Sequence, residues 1–192
     1  ILLKDHGGFI LPDNVPASEF LNLEGDKFST SRNWAVWLHE YLEAYPDRTD
    51  ELRYVLTSIA PESKDAEFTW KDYQARVNSE LADVFGNFVN RTVVLTNKYY
   101  DGIVPAKGLR SEQDEAIVKQ VDECAERIGD LITKYKLREA QGEMMSIARI
   151  GNKYLADNEP WKLVKTDENR VEAIMSVALE ITRQLSITCM PF

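Results

Sequence analysis

From Trp70 to Asp101-Gly102 the chain keeps one helical period with no proline to break it, and apolar side chains recur at 70, 73, 77, 81, 84, 88, 95 and 99. This spacing predicts a single helix of roughly 30 residues, about 45 Å long, ended by the Asp-Gly pair. A rod of that length with one apolar stripe must be covered by other helices. Most of the chain supplies them.

Helices are expected over about 33–44, with Trp34, Trp37, Leu38 and Tyr41 on one face, and over about 48–60, with Leu52, Val55, Leu56 and Ile59, stopped by Pro61. Residues 61–67 read as a charged loop. After the long helix, Ser111 with Asp114 three residues on marks a capped helix start, succeeded by a stripe of Ile117, Val121, Cys124, Ile128 and Leu131. A partner helix carries Leu137, Met144, Ile147, Gly151 and Tyr154, and ends before Pro160. A short turn begins at Pro160, and a last helix begins near Asp167, with Val171, Ile174, Ala178, Ile181 and Leu185. Before all of these, Phe20, Asn22 and Leu23 with Gly25-Asp26 behind them suggest a strand entering a loop. The expected fold is mainly α: an antiparallel helical bundle over 69–192, preceded by a small α/β segment made of 1–26 and 27–68. The stripes are its core.

Composition narrows the function. Cys124 and Cys189 fall on apolar helical positions, no CxxC or Cys/His cluster exists, and His6 and His39 are isolated, so no metal site is expected. No apolar run approaches the roughly 20 residues that cross a bilayer, and the start lacks the order of a signal peptide; a cytoplasmic protein without a membrane role is the expectation. A net charge of -9 argues against a chain-wide grip on nucleic acid, DNA included, and requires any RNA site to be local. Ile1 at one end and Met190-Pro191-Phe192 at the other read as cuts within a longer protein.

Three places carry chemistry. Lys27-Phe28-Ser29-Thr30-Ser31-Arg32 sets cationic and hydroxyl side chains between a strand and a helix, a combination able to hold phosphates. Asn87 and Arg91, four residues apart on the long helix, share a face at the edge of the apolar stripe, where an amide and a guanidinium can meet base edges. Trp161 comes directly after Pro160 at a helix start, where the fixed proline backbone presents the indole from a rigid platform. Taken alone, each has an ordinary structural explanation in a surface loop, a solvated helix boundary or a packed ring.

Together they resemble one family. The stretch from Gly25 to Asn33 resembles the Lys-Met-Ser-Lys-Ser loop of class I aminoacyl-tRNA synthetases. Trp34 to Leu42 and Asp50 to Tyr54 resemble the segments just after that loop in methionyl-tRNA synthetases. The resemblance runs on through Trp70 to Gly102 and Pro160-Trp161, from about residue 10 to the end. It implies that Lys27, Ser29 and Ser31 hold the first, third and fifth loop positions, and that Lys27, Thr30 and Arg32 face the ATP phosphates, with magnesium, in the whole enzyme. Thr30 departs from the pattern, since a lysine commonly stands there; either Lys27 or Arg32 stands in for its charge, or the loop contributes less.

By the same resemblance, Asn87, Arg91 and Trp161 bind the CAU anticodon of initiator and elongator methionine tRNA, and Lys162 and Lys165 are candidate phosphate contacts. The parent would be a methionine–tRNA ligase taking methionine and ATP. The His-Ile-Gly-His element is missing here and the zinc insert would lie upstream, so the fragment is expected to be inactive alone and to bind no cofactor. The alternatives are the anticodon-binding region of another class I synthetase, for isoleucine, valine, leucine or cysteine, and a helical protein-interaction module without RNA.

Overall fold

The computed structural model describes residues 2–192. A short helix, α1 (Leu2–His6), and an exposed irregular stretch lead to a hairpin of β1 (Leu21–Leu23) and β2 (Asp26–Lys27). Glu24 and Gly25 turn between them with φ of 48° and 86°, the doubly left-handed turn that matches strand twist. On the other edge of β1 lies β3 (Ala66–Phe68), parallel to it, with Leu23 opposite Phe68 and both side chains buried. The sheet order is β2-β1-β3. The reading of 61–67 as loop is thus corrected: so short a strand has no period of its own, and it forms because β1 offers an open edge.

Two helices cross from β2 to β3. The expected helix at 33–44 begins only at Leu38, as α2 (Leu38–Ala44), and α3 (Thr49–Ser58) comes next. Residues 29–34 instead fold back as a turn in which Ser29 and Trp34 exchange both backbone hydrogen bonds. The indole N–H of Trp34 donates to the Leu23 carbonyl at 3.1 Å, and that of Trp37 to Asn33 Oδ1 at 2.9 Å. Those bonds hold both rings outside any helical stripe.

The long helix runs unbroken from Trp70 to Tyr100 as expected, but it is not α-helical throughout. Between α4 (Trp70–Arg76) and α5 (Asn87–Tyr100) lies a wide π-helical segment, Val77–Gly86. There the Asn87 N–H reaches back five residues to the Ala82 carbonyl. Asn152 Nδ2 donates to the Val84 carbonyl at 2.8 Å, and a Cβ on Gly86 would stand 3.0 Å from the Leu81 carbonyl. The wider turn changes the phase of the rest of the helix. The buried face of α5 is therefore Phe88, Thr92 and Thr96, while Leu95 and Tyr99 are only partly covered. The two threonine hydroxyls donate to carbonyls one turn back, at 3.0 and 2.8 Å, so burying them leaves no donor unpaired.

The remainder is the expected bundle: α6 (Glu112–Thr133), α7 (Leu137–Asn158), the single turn α8 (Pro160–Leu163) and α9 (Glu168–Thr188). Ser111 and Asp114 form the reciprocal cap of α6. Val121, Cys124, Ile128, Met144, Ile147, Leu155, Ile174, Ala178, Ile181 and Leu185 fill one core, whereas Leu137 is exposed. The fold is mainly α, a helical bundle preceded by a small α/β segment.

The long helix meets α7 at one very close point. Phe88 is fully buried, and a Cβ added to Gly151 would lie 2.4 Å from its ring. Gly151→Ala is expected to overpack this contact and lower stability by about 1–3 kcal/mol, read as a reduced urea midpoint with an unchanged slope. An unchanged midpoint would mean that the two helices separate freely.

Candidate functional site

The backbone of the 27–32 loop is fixed from both sides. Lys27 ends β2, the Ser29–Trp34 pairing closes the turn, and the Trp34 indole ties its far end to β1. Inside the turn, Ser29 Oγ lies 3.3 Å from Ser31 Oγ and accepts from the Arg32 N–H at 3.3 Å, while the Asn33 N–H donates to the Thr30 carbonyl. Asn33 takes φ of 52°, which an asparagine tolerates better than most residues. Thr30, Ser31 and Arg32 are exposed at the tip. The Lys27 ammonium sits 5.1 Å over the Phe20 ring. The arrangement offers hydroxyl donors and two cations on one exposed hairpin, a fitting surface for phosphate oxygens.

Away from this loop in sequence, Arg91 and Trp161 come together. The Arg91 guanidinium lies 5.2 Å from the centre of the Trp161 ring, within the range of a cation–π contact, and the ring remains 38% exposed. Asn87 is exposed and stands one α-helical turn before Arg91, so the two share the face that carries the guanidinium to the indole. Of the two lysines expected beside the tryptophan, Lys162 is held by Glu159 at 2.8 Å and Lys165 is exposed.

The backbone that presents Trp161 is tightly specified. Glu159 takes φ of 43°, left-handed for a residue with a Cβ, and the buried Pro160 sets the first position of α8. Beneath it lies a polar cluster that no spacing in the sequence announces. Asp114 is completely buried and accepts from the Ser111 N–H at 2.9 Å, from the Tyr154 hydroxyl at 2.6 Å and from both terminal nitrogens of Arg170. Arg170 also donates to Asn158 Oδ1 at 2.6 Å. The cap at Ser111 and Asp114 was legible, but the arginine that completes it lies 56 residues on. Burial alone would push the Asp114 carboxyl up; the bonds from Arg170, Tyr154 and Ser111 outweigh it and hold the group well below the usual carboxylate range.

Residues 1–93 match the family described as tRNA synthetases class I (M). Residues 104–192 match the anticodon binding domain of methionyl tRNA ligase. The chain belongs to the methionyl-tRNA synthetase family. It is 64% identical over 192 residues to the methionine–tRNA ligase of Christiangramia forsetii and 61% identical over 191 residues to that of Flavobacterium psychrophilum. All of this chain is matched in both cases, and it spans 28% of the length of each relative. Among solved structures, Mycobacterium tuberculosis methionyl-tRNA synthetase in complex with methionyl-adenylate superposes with a TM-score of 0.83 at 27% identity, covering 91% of this chain and 35% of that one. The apo form of the same enzyme gives a TM-score of 0.82 at 25% identity, over 96% of this chain and 36% of that one. Among the described residues no helix is long and apolar enough to cross a membrane, and no group of His, Cys, Asp and Glu is arranged to hold a metal.

The depressed Asp114 carboxyl gives a pH prediction with a definite sign. Its stabilisation is fully present above the unfolded value of about 4 and is lost as pH falls below it. Asp114→Asn is expected to cost about 3–5 kcal/mol at neutral pH by leaving Arg170 uncompensated. Thermal melts from pH 7 downward should show the gap between variant and parent narrowing in acid. A constant gap would rule out the ion pair as its source.

Proposed function

We propose that this chain is the part of a methionine–tRNA ligase that recognises the CAU anticodon of methionine tRNA, initiator and elongator alike. The observation that carries the reading is the Arg91 guanidinium lying over the open face of Trp161, with Asn87 one turn away. An unstacked anticodon base can lie on the indole while the amide and the guanidinium bond to base edges, the usual way in which single-stranded RNA is read. The cation beside the ring favours the anionic loop locally, although the chain as a whole is acidic. Lys165, and Lys162 where Glu159 releases it, complete the positive edge toward the phosphates.

In the same reading, Lys27, Ser29 and Ser31 take the loop positions that close over ATP, and Thr30 and Arg32 would face its phosphates, whose charge magnesium would help to offset. Bound ATP supplies the α-phosphate that methionine attacks, with pyrophosphate as leaving group. What this loop contributes is charge and hydrogen bonds placed where negative charge grows. Thr30 offers a hydroxyl and no charge, so Arg32, exposed at the same tip, or Lys27 supplies the cation. Adenylate formation and tRNA charging are assigned to the whole cytoplasmic protein. This portion alone is proposed to be inactive and to hold no zinc, and neither membrane nor DNA enters the reading.

Titrating the chain with anticodon stem-loops, CAU against single-base changes, tests the proposal. CAU is expected to bind tightest, and Trp161→Ala to weaken it by the roughly 1–3 kcal/mol that stacking supplies, about fivefold to 150-fold. Asn87→Ala and Arg91→Ala should also narrow the preference for CAU. Equal affinity for every loop would refute the methionine assignment, and no binding to any would favour an interaction module.

A further inference from the structure

The segment that carries Trp161 is closed at its base. Asn158, the last residue of α7, accepts from Arg170 Nη2 at 2.6 Å across 12 residues of chain, so the entry to α8 and the first turn of α9 are tied by one guanidinium. The same guanidinium runs on into Asp114, which is held by the cap of α6 and by the Tyr154 hydroxyl. Asn158 Nδ2 in turn donates to the Tyr154 carbonyl at 2.9 Å. Three helix ends therefore meet in one polar knot around the buried Asp114, next to the left-handed Glu159 and the buried Pro160 that launch the indole.

We propose that the Asp114–Arg170–Asn158 chain of hydrogen bonds is a positioning device that fixes the azimuth of Trp161 for stacking, with Asn158 as the residue that passes the constraint to the platform. The proposal rests on the anticodon reading for its purpose but not for its mechanics. An apolar contact at this point would hold the helix ends together in several orientations. An arginine that donates to both oxygens of one carboxylate and also to an asparagine holds them in one, because three of its five N–H groups are already directed. A left-handed non-glycine residue persists only where its surroundings over-determine it, and Asn158 is the neighbour that supplies the determination. Arg170 and Asp114 act only through Asn158 and the backbone. None of the three is proposed to touch RNA.

Asn158→Ala cuts the outermost bond, and with it the amide's bond to the Tyr154 carbonyl, and leaves Asp114, Arg170 and Tyr154 joined, so the fold is retained. The chain holds four tryptophans; labelled as 5-fluorotryptophan, they give fluorine resonances from which Trp161→Phe identifies the one of interest. In the free Asn158→Ala chain the Trp161 resonance is expected to broaden or move toward the unstructured value, while those of Trp34, Trp37 and Trp70 and the melting temperature stay in place. CAU stem-loop affinity should fall about tenfold, the loss expected if the indole is correctly oriented about a tenth of the time. Asn158→Asp, which keeps an acceptor for Arg170, should restore both signals. An unmoved Trp161 resonance in Asn158→Ala overturns the positioning role whatever the RNA does. A resonance that moves as expected in a chain that binds no stem-loop supports the clamp and overturns the anticodon reading instead.

Discussion

The fully buried ring of Phe88, seated where Gly151 has no side chain, is the contact on which the placement of everything else depends. A helix–helix approach this close leaves no room for sliding, since a displacement in either direction drives the ring into backbone. Arg91 lies less than one turn beyond Phe88 on α5, and Trp161 lies just past the end of α7, which carries Gly151. Fixing that one point of contact therefore fixes the distance at which the guanidinium can meet the indole. The amide of Asn152 reinforces it by reaching the Val84 carbonyl, and the wide turn before α5 sets the angle at which Asn87 and Arg91 emerge.

An acidic chain with a cationic–aromatic site proposed to take RNA is not a contradiction. Most of the basic side chains that the structure pairs sit beside a carboxylate close by in the chain, as Arg76 does with Asp72, Lys136 with Glu139 and Lys153 with Asp157. Such exposed pairs add little stability, but they cancel the field of those cations locally. Arg91 lies over an aromatic face, which attracts the cation while leaving its edge free to donate. Affinity at such a place comes from stacking and directed hydrogen bonds more than from net charge, and the surrounding negative surface works against binding elsewhere on the protein.

The reach of each interaction decides whether the sequence reveals or conceals it. The stripes of α6, α7 and α9, the cap at Ser111 and the Asp101-Gly102 stop are local patterns, and apart from the exposed Leu137 each stands where spacing put it. Thr92 and Thr96 were invisible as core because their hydroxyls are satisfied within their own helix, which polarity alone does not reveal, and because the wide segment shifted the count before them. β3 depends on an edge 45 residues away, and the Asp114–Arg170 pair spans 56. Trp34 and Trp37 fitted a helical period, yet their indole N–H groups found a strand carbonyl and an asparagine. Of the site residues, Asn87, Arg91 and Trp161 were legible as positions and residue types. Their meeting was legible only through the family resemblance, since no periodicity relates α5 to α8.

The path between the two sites is shorter than the chain order suggests. In chain order α2 and α3 stand between the two sites, but the hairpin that carries the 27–32 loop is joined more directly to the long helix. Glu24, in the turn between β1 and β2, accepts from the Trp70 N–H at 2.8 Å, and its own N–H donates to the Phe68 carbonyl at 3.0 Å. That carboxylate thus sits on the first turn of α4, where it satisfies an amide that has no partner within the helix. From Trp70 a continuous helix leads to Arg91. A strut pinned to the loop's own hairpin at one end and wedged against Gly151 at the other holds the two sites in fixed relation. Any change at one that reaches the other must then move the strut as a body or change the pitch of its wide segment. Of the two, the wide segment is the softer: its turns depart from the α-helical ladder, and one of its carbonyls is held by a side chain from another helix.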